Sequence, residues 1–146
     1  MTVGVDSSLI VAAVHANHPR HAMAASWLIS SIGKHPLVVA HHSILEAYAV
    51  LTRLPGDLRV TPSEARDLLT GTVQANMTVA DFHPESIWGI LEKLVLSSAV
   101  GGRSYDALIL FTLQACGVEA IATLNPSHFR DLAPEFRIID PSTPQD

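Results

Sequence analysis

Apolar residues in this chain come in two patterns that alternate from end to end: short unbroken runs and clusters at helical spacing. TVGVD, residues 2–6, is a β-prone run ending on a carboxylate, and Ser7 and Ser8 then open an apolar helix through Val14. Pro19 fits the first turn of a second helix, with Trp27, Leu28 and Ile29 inside it and Gly33 just past its end. PLVVA, residues 36–40, reads as a buried strand. Ser43, with Glu46 three residues on, predicts a capping-box start to a helix reaching about Arg53. Thr61, Pro62 and Glu64 make a stronger helix start, running to about Gly71. MTVADF, residues 77–82, is strand-like, and Pro84 begins an amphipathic helix to about Ala99. GGRSYDALILFTLQACG, residues 101–117, is a further helix, capped by Ser104 and closed by Gly117. VEAIATL and FRIID supply the last two strands.

Strands separated by helices predict an α/β fold with a mainly parallel central sheet. In such sheets the ligand crevice lies beyond the carboxyl ends of the strands, where the strand order reverses. No repeat, low-complexity tract or linker interrupts the chain before PSTPQD. Residues 1–140 are therefore expected to form one domain and residues 141–146 a short C-terminal tail.

Composition narrows the function. The 146 residues are 48% hydrophobic and only 16% charged, which excludes a disordered chain and suggests apolar surface covered by a second copy or a partner. The net charge of −5 argues against simple electrostatic binding to nucleic acid, but not against an enzyme that brings divalent cations to it. The lone Cys116 excludes an internal disulfide and suits a reducing cytoplasm. No apolar run reaches the ~20 residues of a membrane span. The apolar N-terminus lacks a basic leader and is interrupted by Asp6, which excludes a signal peptide.

Three acids and an amide fall where the crevice is expected. Asp6 closes the first strand, where its simpler role is a helix cap. Glu46 follows the second strand, where its simpler role is the capping box. Asp106 stands near the start of an apolar helix, with Ile109 and Leu110 on its own face. The macrodipole there repays only ~0.3–1 kcal/mol, less than burial costs, so a cation beside it is expected. Asn125, after VEAIATL, stands in an Asn-Pro turn starter and could offer a carbonyl oxygen. Such a hard-oxygen cluster suits Mg²⁺ or Mn²⁺ acting on a phosphodiester.

VDSSLIVAAV, SILEAYAVLTRL, GGRSYDALIL and ATLNPSHF, in that order, resemble the PIN domain and more narrowly the VapC-type toxins of toxin–antitoxin pairs. The resemblance covers nearly the whole chain. It implies a PIN-like α/β/α sandwich and a Mg²⁺- or Mn²⁺-dependent endoribonuclease. Its acidic site, catalytic and metal-binding, would fall on Asp6, Glu46 and Asp106, with Asn125 as a fourth catalytic position. Relatives often carry a fourth Asp there, and its absence bears on a second metal. Ser7 and Thr123 would hold carboxylates or waters through their hydroxyls. The implied partners are an RNA substrate, a cognate antitoxin and a second copy in a homodimer, with no membrane. Arg103 and Arg130 flank the expected site and are candidates for RNA phosphates.

Other chemistries have less support. His15, His18 and His21 are spaced by three and His41 and His42 are adjacent, but one cysteine and no H-E-x-x-H make a poor zinc site. His128 lies nearest the expected site and is the one histidine to consider as a proton carrier. No G-x-S-x-G, P-loop or G-x-G-x-x-G occurs. Trp27 and Trp88 fit core or dimer contacts rather than base-stacking platforms. The alternatives kept open are a catalytically silent PIN-like module that binds protein or RNA, and a nuclease acting on DNA.

Overall fold

The computed structural model describes residues 1–144; Gln145 and Asp146, the end of the expected tail, lie outside the described residues. Five short strands form one sheet: β1 (Val3–Val5), β2 (Leu37–Ala40), β3 (Thr78–Ala80), β4 (Ala120–Ala122) and β5 (Arg137–Ile139). Their order is β3-β2-β1-β4-β5, and every pairing is parallel. The helices are α1 (Ser7–Val14), α2 (His21–Ser31), α3 (His41–Arg53), α4 (Pro62–Leu69), α5 (Ile87–Leu96), α6 (Arg103–Ala115) and α7 (Ser127–Arg130).

Strand alternation divides the core in two. Val3, Val5, Leu37 and Val39 pack with α1–α4 residues such as Leu9, Ile10, Trp27 and Leu51. Val38, Ala40 and Ile121 point the other way, toward Ile109, Leu110 and Leu113 of α6 and Phe129 of α7. The result is the expected α/β/α sandwich, and burial on both faces explains why the central strands β1, β2 and β4 read as unbroken apolar runs. Gly4 faces α6: a Cβ there would lie 2.7 Å from Leu113 Cδ1, so the missing side chain lets α6 lie close to β1.

Several boundaries differ from the sequence pattern. β2 runs into α3 with no turn, so the helix begins at His41 and Ser43 lies inside its first turn. The Ser43 hydroxyl is buried without a partner, and no capping box forms with Glu46. Thr61 and Glu64 do form one, with both reciprocal bonds present. α2 starts two residues beyond Pro19. After α4 the chain continues through a π turn at Thr70–Gln74 rather than stopping at Gly71. α5 ends at Leu96, because Ser98 takes a left-handed φ of +54°. The cap position of α6 is Gly102, not Ser104. Gly117, at φ +75°, closes that helix as expected.

Candidate acidic site at the reversal of strand order

β1 has β2 on one side and β4 on the other, so the strand order reverses there, and its carboxyl end delivers Asp6. The Asp6 amide donates to the Ala122 carbonyl at 3.0 Å, which ties the ends of β1 and β4 together. Asp6 is only 5% exposed. It occupies the cap position of α1, but its carboxylate does not cap: Oδ2 accepts from Ser8 Oγ and from Thr123 Oγ1, both at 2.8 Å. The Thr123 hydroxyl also accepts the Asn125 N–H at 3.0 Å, and Ser8 Oγ accepts the Leu124 N–H at 3.1 Å. The loop after β4 is thereby laced to the start of α1.

Glu46 comes from the second turn of α3. Ser7 Oγ donates to its carboxylate, and His42 Nε2 lies 3.7 Å from its Oε2. Asp106 comes from the first turn of α6, where the helix dipole favours its charge, and stands 3.8 Å from Nδ1 of His128 on α7. It is not the deeply buried acid that its apolar helix suggested. Its side chain is 21% exposed on the wall of a basin, and Asp6 is the buried member.

Burial raises the Asp6 carboxyl above its ordinary value, against the lowering effect of the Ser8 and Thr123 hydroxyls, and the charge of Glu46 raises it further. Asp106 is also raised, first by desolvation and then by the charges of Asp6 and Glu46, while His128 and Arg103 pull it down. The three acids are thus near enough to repel one another. Among the described residues no Lys or Arg lies within 4 Å of any of them; their ion-pair partners are the two histidines.

All three acids, together with Asn125, line one open basin of about 1080 Å³. Asn125 is exposed, and its side chain makes no hydrogen bond. Arg20, Arg53 and Arg103 line the same basin. Arg130 does not; it lies near Asp140, whose carboxyl is held below its ordinary value by hydrogen bonds from Ser142 and by the charges of Arg20 and Arg130. Ser8, Arg20, Arg53, His42 and Tyr105 are the basin residues that the sequence pattern did not single out for chemistry.

Among the described residues, no three His, Cys, Asp or Glu side chains form a ready-made metal cage. The acids instead form a hard-oxygen set around open space, which fits a hydrated Mg²⁺ or Mn²⁺ that takes one or two carboxylates and keeps waters. His15, His18 and His21 are braces for neighbouring backbone rather than zinc ligands. His15 Nε2 bonds the Leu58 carbonyl at 2.7 Å, His18 Nδ1 accepts the Arg20 N–H at 3.0 Å, and His21 Nδ1 bonds the Ala12 carbonyl at 2.9 Å.

No family model matches the chain. Among curated proteins it is similar to Ribonuclease VapC27 of Mycobacterium tuberculosis, 31% identical over 107 residues and 73% of each chain. It is also similar to Ribonuclease VapC40 of the same species, 31% identical over 82% of this chain and 84% of the relative. Among solved structures, Mycobacterium tuberculosis VapC20, described as a Sarcin-Ricin loop cleaving toxin, superposes with a TM-score of 0.65 at 18% identity, covering 82% of this chain and 87% of that one. FitAB bound to a DNA fragment gives 0.69 at 11% identity over 99% of both chains.

Proposed function

The chain belongs to the VapC family of PIN-domain proteins, and from that membership we propose that it is a divalent-metal-dependent endoribonuclease, the toxin of a type II toxin–antitoxin pair. The observation that carries the chemistry is the convergence of Asp6, Glu46 and Asp106 on one basin, with no Lys or Arg among the described residues within 4 Å of any of them. Two relatives named as ribonucleases, and a structural neighbour described as cleaving the Sarcin-Ricin loop, support RNA as the substrate.

Asp6, Glu46 and Asp106 would hold Mg²⁺ or Mn²⁺. The ion would polarise the scissile phosphoryl group and lower the pKa of a bound water toward hydroxide. The chain's own groups prepare that site. Ser8 and Thr123 fix one Asp6 oxygen, and Ser7 fixes Glu46, so the carboxylates need little reordering to bind a cation. Asn125 offers an amide without adding charge. Arg20, Arg53 and Arg103 at the basin supply positive charge for RNA phosphates in a chain that is otherwise acidic.

The same reading places the chain in the cytoplasm with a cognate antitoxin and as a homodimer. Exposed Trp88, Leu91 and Val95, at helical spacing along α5, support the dimer; Trp27, by contrast, is buried.

The test is cleavage of mixed RNA by the purified chain, freed of partners, with Mg²⁺ or Mn²⁺, alongside EDTA and Asp106→Asn. Loss of cleavage in both controls supports the proposal. Cleavage that persists in Asp106→Asn refutes the site. A wild-type chain that binds Mn²⁺ in calorimetry and cuts DNA but not RNA refutes the substrate. One that neither binds Mn²⁺ nor cleaves favours the silent binding module.

A further inference from the structure

Tyr105 immediately precedes Asp106 on α6, lines the basin, and remains 53% exposed. Its ring lies parallel to the imidazole of His42, with centroids 5.0 Å apart and planes 4° apart. His42 in turn stands one helical turn before Glu46 on α3. The stacked pair therefore bridges the two helices that supply Glu46 and Asp106. His42 stacks against the phenol ring, yet more than half of Tyr105 remains open to solvent. Leu45, 61% exposed, and Val100, 73% exposed, line the same basin, and Arg103 lies two residues before Tyr105.

A flat aromatic surface next to carboxylates and an arginine is poorly matched to an aliphatic ligand. It is well matched to a planar heterocycle attached to a phosphate. The geometry points to Tyr105, backed by His42, as a platform on which one unpaired base of the RNA substrate stacks beside the scissile phosphodiester. The inference rests on the ribonuclease reading and deepens it. Proteins that recognise unpaired RNA commonly splay a base onto an aromatic side chain. A base docked on this platform fixes the register of the strand, so the phosphate presented to Asp106 and Glu46 is the one adjoining that base. Tyr105 is a positioning residue here: it chooses which bond enters the basin and leaves the chemistry to the acids.

The experiment uses the full chain and an RNA oligonucleotide containing a bond that the wild type cuts. Tyr105→Leu removes the ring, whereas Tyr105→Trp keeps a stacking surface. Tyr105→Leu is expected to raise KM about tenfold, within the range of base–aromatic stacking, with kcat changed by less than about twofold. Tyr105→Trp is expected to keep KM near the wild-type value. Replacing one base flanking the cut with an abasic nucleotide should weaken the wild type by the same factor and cost Tyr105→Leu nothing more. In EDTA, 2-aminopurine at that position should be quenched by the wild type and not by Tyr105→Leu, a readout that needs no catalysis.

The platform is refuted if Tyr105→Leu cleaves like the wild type, or if its defect is undiminished on the abasic RNA. It is also refuted if the defect appears only as a lower melting temperature, which would make the stack a brace. Loss of a protein partner with RNA binding intact refutes it as well, in favour of a docking role. A wild type that cuts no RNA removes the premise and the platform together, whereas a wild type that cuts alongside an unaffected Tyr105→Leu removes the platform alone.

Discussion

Thr123→Val swaps a hydroxyl for a methyl group of nearly the same volume at a position with no solvent exposure. The lost hydroxyl donates to Asp6 Oδ2 at 2.8 Å and accepts the Asn125 N–H at 3.0 Å. A hydrogen bond to a charged acceptor contributes about 1.5–3 kcal/mol, and a neutral one at a partly buried site about 1 kcal/mol. The expected destabilisation is therefore about 2–4 kcal/mol. For a chain of 146 residues, that lowers the melting temperature by roughly 4–16 °C. Thr123→Ser keeps the hydroxyl and deletes one methyl, so it should cost only about 1 kcal/mol. Urea titrations in EDTA at pH 7 measure both. Repeating Thr123→Val in an Asp6→Asn background isolates the charged part, because the amide oxygen still accepts a bond but carries no charge. That cycle should show coupling of about 1 kcal/mol. Two results would refute the reasoning: Thr123→Ser costing more than Thr123→Val, or the two substitutions adding without coupling.

Four further outcomes follow from the same contacts. Asp6 and Asp106 both hold their protons above the usual value of 3.8 when folded, so in EDTA the folded chain binds more protons than the unfolded chain above that pH. The unfolding free energy contributed by these groups thus falls as pH rises from 3.8 through the raised values, and Asp6→Asn gains on the wild type across that window in a denaturation series; a variant that loses ground there contradicts the sign. Gly4→Ala puts a methyl 2.7 Å from Leu113 Cδ1 and 3.3 Å from Val118 Cγ1, and should cost about 1–3 kcal/mol in urea unfolding. Ser43→Ala removes a buried hydroxyl that has no partner, so its urea midpoint should equal or exceed the wild type's. Trp88→Lys places a charge in the exposed α5 stripe and should abolish the proposed dimer in light scattering, leaving its melting cooperative.

The strands and most helices were legible because burial on both sheet faces leaves unbroken apolar runs, and because Gly117 and the Thr61–Glu64 box carry their own stop and start signals. Asp6 and Asp106 stood out because a carboxylate beside apolar residues needs a reason. Which of them was buried was not legible, since burial depends on packing between elements far apart in sequence. Glu46 was misread locally: S-x-x-E describes a cap only if a turn precedes it, and β2 passes into α3 without one. The bond from Thr123 to Asp6, and the stacking of His42 on Tyr105, join residues far apart in sequence. No periodicity records such pairings. α7 was hidden inside an Asn-Pro turn signal too short to distinguish from a loop.

The central position of β1 also sets when an acidic basin can exist. β1 is made before both of its neighbours, and it is flanked on both sides only once β4, far along the chain at Ala120–Ala122, has followed. Until then Asp6 lacks the Thr123 hydroxyl, and Asp106 has no completed sheet to lie against. Pairings this distant in sequence also form slowly. A ribosome translating this message therefore holds a chain whose acidic basin is incomplete until β4 has emerged. The order of the strands works as a delay between the making of Asp6 and the completion of the basin around it.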